Sequence, residues 1–160
     1  MIRNVTQADM PQITAIYNHF IANTTITFET EPVSVDEMTH RMQHISAQYP
    51  YMVMEEDGEI LGYCYVHSWK EKEAYSKTVE STIYLKPGLE RRGLGTQLMN
   101  ALIDASRQAG LHVLVACITY PNVPSEKLHL NLGFKQVSRF HEVGFKFGKW
   151  IDIYDFQLIL

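Results

Sequence analysis

Cysteine is scarce in this chain: its 160 residues include two, Cys64 and Cys117, each inside an apolar, strand-like run. Two such thiols exclude a disulfide framework, and the expectation is a pair of buried free cysteines in a reducing compartment. No apolar run approaches the roughly 20 residues that a membrane helix needs. The opening Met-Ile-Arg-Asn-Val-Thr has no signal-peptide stretch, so a cytoplasmic location and no membrane partner are expected. Basic charge is not in excess, with 14 Lys and Arg against 18 Asp and Glu and a net charge of −4, and no basic patch stands out. Nucleic acid is therefore not an expected partner. His40 and His44 are spaced i,i+4, but no third ligand and no H-E-x-x-H accompany them, so no metal site is expected. There is no repeat, low-complexity tract or linker, which leaves one domain over 1–160 as the reading. What is abundant is apolar: 46% of residues are hydrophobic and 11% aromatic, enough for a real core.

The pattern along the chain alternates strands and helices. Ile2 to Val5 reads as a short strand. Thr6 and Asp9 have capping-box spacing ahead of a helix carrying Met10, Ile13, Ile16, Tyr17, Phe20 and Ile21, with Pro11 in its tolerant first turns. Ser34 and Glu37 cap a second helix whose apolar face is Met38, Met42 and Ile45. Tyr51–Met54 and Ile60–Val66 are predicted strands joined by a hairpin at Asp57-Gly58, where positive φ is wanted. Thr78–Leu85 is another strand. Gly95–Ala109 is a helix stopped by Gly110. Leu111–Ile118 is so apolar that it predicts a strand covered on both faces. Pro124–Leu132 is a short helix ended by Gly133, and Phe134–Phe145 and Trp150–Leu160 are strands joined around Gly148. The order β-α-α-β-β-β-α-β-α-β-β is that of a mixed α/β domain.

The segment from Glu80 to Met99 carries the chemistry. It is a strand, then the loop Glu90-Arg-Arg-Gly-Leu-Gly95, then a helix start. A helix N-terminus behind a glycine loop presents free N–H groups to a phosphate or pyrophosphate, and glycines let the backbone approach it. G-x-G-x-x-G fails because its third glycine position is Leu98, and no G-x-x-x-x-G-K-[ST] string exists. Glu80 stands on the entering strand. Alternation puts it on one face with Thr82 and Tyr84, where its carboxylate could take a proton from a nucleophile. The plain structural alternative for Glu80 is a carboxylate on an exposed strand face.

These residues resemble the GCN5-related N-acetyltransferases, the GNAT superfamily, whose signature is (Gln/Arg)-x-x-Gly-x-(Gly/Ala) after the fourth strand. The resemblance is nearest to the branch of phosphinothricin and methionine sulfoximine acetyltransferases and covers essentially the whole chain. It is carried by Ile16-Tyr17-Asn18, Phe28-Glu29-Thr30-Glu31-Pro32, Thr78-Val79-Glu80-Ser81, Arg91-Arg92-Gly93-Leu94-Gly95, Asn122-x-x-Ser125, Leu132-Gly133-Phe134 and Gly144-Phe-Lys-Phe-Gly-Lys-Trp150. It implies a mixed, mostly antiparallel central sheet with helices on both faces and strands splayed at the acetyl-CoA site. It implies an acetyl-CoA-dependent N-acetyltransferase acting on a small amino-acid-like amine by direct transfer in a ternary complex, and a homodimer. A polyamine or peptide N-terminus as acceptor, and a non-catalytic acyl-CoA-binding sensor, are the other readings. Two departures stand out: Glu90 replaces the Gln or Arg of the signature, and lysines occupy positions before Thr78 where relatives carry arginine.

Residue by residue, the resemblance assigns Arg91, Arg92, Gly93, Leu94, Gly95 and Thr96 to the coenzyme A pyrophosphate. It assigns Ile83, Tyr84 and Leu85 to the acetyl-pantetheine arm. Asn122 and Ser125 become coenzyme A contacts, with helix capping as a coexisting role. Glu80 becomes the general base and His129 a candidate general acid, although a lone histidine is more often structural. Phe28, Glu29, Lys70, Tyr75 and Lys77 fall where the substrate would sit: Phe28 as a pocket wall and Glu29 as an ammonium partner, or both as parts of a solvated loop.

Overall fold

The computed structural model describes residues 1–89 and 92–160; the expectations placed on Glu90 and Arg91 lie outside the described residues. Its elements are β1 (Ile2–Asn4), α1 (Met10–Asn23), α2 (Val35–Ser46), β2 (Tyr51–Glu56), β3 (Glu59–Ser68), β4 (Thr78–Leu85), α3 (Leu94–Gln108), β5 (Val113–Tyr120), α4 (Val123–Asn131), β6 (Lys135–Lys146) and β7 (Lys149–Ile159). The caps expected from sequence form. Thr6 N–H donates to the Asp9 carboxylate over 2.7 Å, and Ser34 Oγ accepts from Glu37 N–H over 3.1 Å. The β2–β3 hairpin turns at Asp57 and Gly58 with φ of 51° and 82°.

One sheet of seven strands runs in the order β1-β2-β3-β4-β5-β7-β6. Every neighbouring pair is antiparallel except β4 and β5, which are parallel. The period-2 alternation of the strands divides the core in two. On one face, α3 lays Leu98, Met99, Leu102 and Ile103 against Cys64, Val66, Val79, Leu114 and Phe156. On the other, α1 and α2 lay Met10, Ile13, Met38 and Met42 against Tyr51, Val53, Ile60 and Tyr63. Tyr84 packs on this second core while Ile83 and Leu85 pack on the first, so Glu80 and Thr82 share the face of α1 and α2.

One expectation needs correcting here. The strand β5 is not covered on both faces: Cys64 is buried but Cys117 is exposed. The reason is topological. Helices α1 and α2 lie over β2 and β3, and the strand next to β5 leaves it partway along.

Candidate active site

The parallel pairing of β4 with β5 holds over three positions, Thr78 with Val113, Val79 with Leu114 and Glu80 with Val115. Beyond it the strands part; the hydroxyl of Ser81 donates to the Val115 carbonyl at 3.4 Å just past the last pair. In a strand, alternate residues aim their N–H and C=O at opposite edges. The stretch of β4 after Glu80 thus turns backbone polar groups toward a gap rather than a strand. The gap is a cavity of about 220 Å³ at the C-terminal ends of the two strands, lined by Ile26, Thr27, Phe28, residues 80–84, residues 116–119, Asn122, Ser125, His129 and Ile153.

Seven residues singled out from the sequence meet there: Phe28, Glu80, Ile83, Tyr84, Asn122, Ser125 and His129. Burial raises the Glu80 carboxyl above its ordinary value, an effect opposed by the nearby His67 and reinforced by Asp155. Asn122 caps α4, its Oδ1 accepting from Ser125 N–H over 3.3 Å, while it also faces the cavity. Cap and contact therefore coexist at one side chain. His129 is 3% exposed, with its ring edge-on to Phe134 at 5.0 Å. Its Nδ1 lies 2.8 Å from the Ser125 carbonyl, which only accepts, so Nδ1 carries the hydrogen. Burial lowers its pKa. The ring is then neutral with a bare Nε2, a poor arrangement for the general acid expected from sequence.

The start of α3 stands beside the cavity. Gly93 is its N-cap with φ of 73°, a left-handed conformation that glycine adopts at no steric cost. The N–H groups of Leu94, Gly95 and Thr96 follow in the first turn, where a helix offers them no internal acceptor. A Cβ built on Gly95 would lie 3.4 Å from Leu128 and 3.6 Å from Leu85, so this turn is wedged between α4 and the end of β4. The strand gap and the helix N-terminus therefore adjoin, through Leu85 at the end of β4 and Leu128 of α4. That is the arrangement demanded by an acyl group on a long arm ending in a pyrophosphate. Arg92 lies at the surface, 4.0 Å from Glu56.

The other expected substrate residues are elsewhere. Glu29 is engaged within the fold: Arg41 of α2 forks onto it with two bonds of 2.9 Å, and the Tyr17 hydroxyl donates to it as well. The Arg41 guanidinium holds its carboxyl below the usual range. Lys70 stacks over Trp69 at 4.1 Å and over Tyr75 at 5.3 Å. Lys77 precedes β4, at the paired end of the strands rather than the open one, and none of Lys70, Tyr75 and Lys77 lines the cavity. Sequence reasoning missed Thr27, Thr82, Cys117 and Thr119. Once β4 and β5 are known to diverge, their alternation would have found Thr82, Cys117 and Thr119.

The loop carrying Phe28 is held from a third side. Lys146, buried in β6, donates to the Thr27 carbonyl over 2.8 Å, and a Cβ on Gly144 would come within 2.4 Å of the Phe28 ring. Glycine at 144 is what lets Phe28 reach the cavity wall.

Comparison with known proteins agrees with this geometry. A family model described as an acetyltransferase (GNAT) domain matches residues 2–154. The chain is 37% identical over 152 residues to a phosphinothricin N-acetyltransferase of Streptomyces viridochromogenes, covering 95% of the chain and 83% of that protein. It is 39% identical over 161 residues to an L-methionine sulfoximine/L-methionine sulfone acetyltransferase of Pseudomonas aeruginosa, covering 99% and 94%. Among solved structures, a Salmonella typhimurium acetyltransferase with its cofactor acetyl-CoA superposes with a TM-score of 0.97 at 36% identity, covering 100% and 93% of the two chains. A Sinorhizobium meliloti phosphinothricin acetyltransferase in complex with acetyl-CoA gives 0.96 at 33% identity, covering 100% and 88%.

Proposed function

The chain belongs to the GNAT acetyltransferase family, and from that premise we propose that it acetylates the amino group of a small amino-acid-like substrate. Its fold is the GNAT fold, its reaction is acetyl-CoA-dependent N-acetylation, and acetyl-CoA is its co-substrate. The acceptors we propose are of the phosphinothricin, methionine sulfoximine or methionine sulfone type, the compounds for which its relatives are named. The observation that carries the reading is the β4–β5 gap, with Glu80 on its wall and the α3 N-terminus at its end.

Acetyl-CoA supplies an activated acetyl group as a thioester. The chain's own residues do the rest. Backbone groups of residues 81–85 that face the gap hold the acyl arm, and their N–H groups favour negative charge on the carbonyl oxygen. The first-turn N–H groups of α3, with Arg92, hold the pyrophosphate. Most of an amine is protonated near neutral pH, so Glu80 removes that proton, directly or through a water, before nitrogen attacks. The N–C bond forms, the C–S bond breaks with its electron pair going to sulfur, and the proton still on the acylated nitrogen passes to that thiolate, so that coenzyme A leaves as the thiol and one proton remains on Glu80. Phe28 walls the acceptor. His129, neutral and bonded to Ser125, positions the α4 end of the cavity.

The whole chain is proposed to work as one domain in the cytoplasm, where acetyl-CoA is available. We further propose a homodimer that covers the aromatic hairpin of β6 and β7, where Phe147 is 57% and Trp150 64% exposed. The test of function is release of coenzyme A thiol with methionine sulfoximine, methionine sulfone, phosphinothricin and a polyamine as acceptors. Turnover is expected on the first three, with a loss of about a hundredfold or more in Glu80→Gln, the low side of general-base effects. Turnover on the polyamine alone would overturn the acceptor class.

A further inference from the structure

Glu80 has a partner across the sheet. In the antiparallel register of β3 and β4 it stands directly opposite His67. Opposed residues project from the same face, and His67 Nε2 lies 3.9 Å from Glu80 Oε1. The second ring nitrogen of His67, Nδ1, is 2.9 Å from the Ser68 carbonyl oxygen. A carbonyl only accepts, so Nδ1 carries the hydrogen. In the neutral ring the bare nitrogen is therefore Nε2, the one that faces Glu80. The two side chains differ in surroundings: Glu80 lines the cavity, whereas His67 does not and is 36% exposed.

We propose that His67 is the proton outlet of Glu80, an inference that rests on Glu80 being the base. Each turnover leaves the proton of the acceptor's ammonium on Glu80. With co-substrate and acceptor filling the cavity, the side of Glu80 turned toward the gap is closed to bulk water. The other side faces His67. A separation of 3.9 Å is too long for a hydrogen bond and is bridged by one water or a small side-chain rotation. Nε2 takes the proton, the imidazolium releases it to bulk water, and both residues return to their starting forms with one proton delivered per acetyl transferred. Imidazole is the side-chain group whose ordinary titration lies near neutral pH.

The other groups around Glu80 are less suited. Asp155 of β7 accepts from Ser138 Oγ over 2.8 Å and, as a like charge, raises Glu80. Cys117 of β5, in register with Asp155, is exposed at its surface yet has its thiol pushed up to about 12 by partial desolvation beside the sheet and by the Glu80 and Asp155 carboxylates, and it stays protonated. Tyr65, two residues before His67 with its ring 6.0 Å away, has a hydroxyl raised by burial. His67 touches no reacting atom, so it is a positioning and relay residue.

The experiment is the pH dependence of kcat and kcat/KM for wild type, His67→Gln, His67→Ala and Glu80→Gln, with and without added imidazole. Both His67 variants are expected to lose kcat, by less than the loss of about a hundredfold or more in Glu80→Gln. Their acid limb should move to higher pH, because the imidazolium that favours the Glu80 carboxylate is gone. Imidazole should restore much of the rate in His67→Ala. Loss of rate at every pH alike without imidazole response, or no loss, would overturn the relay. Should the variants fold poorly, the His67 ring nitrogens are followed by NMR at one pH in wild type and Glu80→Gln. A changed Nε2 environment without the carboxylate supports the pair, and identical signals overturn it. Wild-type rate in Glu80→Gln would remove base and relay together, whereas an inactive Glu80→Gln beside fully active His67 variants would remove the relay alone.

Discussion

Glu80, the proposed base, shows at the residue scale what a partly buried carboxyl costs a fold. Its carboxyl is half-buried, and burial is the largest influence raising its pKa above the unfolded value. A group shifted upward contributes stability that is present below its unfolded pKa and lost as pH rises through its folded pKa. At neutral pH the charged Glu80 therefore works against the folded state, in the manner of active-site groups generally. Thermal melting of Glu80→Gln should give a midpoint at or above that of wild type at neutral pH. The gap should close at a pH low enough to protonate the carboxyl in both states. A lower midpoint in the variant at neutral pH would mean that the attraction of His67 outweighs burial. The sequence made Glu80 legible because strand alternation and the neighbouring glycine loop point at it together. It did not make the engagement of Glu29 legible, since that loop carboxylate is held by Arg41, 12 residues on in α2.

The loop between α1 and α2 lines the cavity with Ile26, Thr27 and Phe28, on the side proposed for the acceptor, and it is braced rather than free. Tyr17 bonds Thr27 over 2.9 Å and also Glu29, Arg41 forks onto Glu29, and Lys146 reaches the Thr27 carbonyl. The Arg41–Glu29 pair is more than a third exposed on its arginine side, so solvent screens it and its stability share is that of a surface pair, up to about 1 kcal/mol. Its larger effect is on position. Arg41→Met is expected to leave the melting temperature within a few degrees of wild type while raising the acceptor KM severalfold, with the acetyl-CoA KM nearly unchanged. Equal changes in both constants, or none, would show that the brace does not shape the acceptor site. The pH sign follows from Glu29: its carboxyl is lowered by Arg41, so the brace holds above the unfolded pKa and loosens as pH falls through the folded one. Helix caps, hairpin turn and strand periods at this scale were readable from local residue chemistry. The divergence of β4 from β5 was not readable from local chemistry. A strand that leaves its neighbour keeps the same period-2 pattern as one that does not, and only the family resemblance pointed to it.

At the scale of the molecule, the sheet is two antiparallel halves joined through a short parallel seam. The strands β1 to β4 form one half and β5, β7 and β6 the other. The seam is three residue pairs long, after which the halves are held together by α3 packing beneath them and, when it is bound, by the co-substrate. A ligand that completes such a seam is coupled to folding. Free acetyl-CoA at a hundredfold its Kd should raise the unfolding free energy by about 2.7 kcal/mol, the value that mass action gives for one site. The same coupling should be local before it is global. Amide exchange should slow most in residues 81–85 of β4 and in the first turn of α3, where the co-substrate is proposed to bind, and next in residues 116–120 of β5 across the gap. The β6–β7 hairpin, joined to β5 by an uninterrupted antiparallel ladder, should change little at fixed protein concentration. Protection confined to that hairpin would mean that binding acts through association of two copies instead of through the seam. Protection spread evenly over the sheet would mean that the two halves open together even without ligand, and that three residue pairs with α3 beneath them already suffice to make the seam whole.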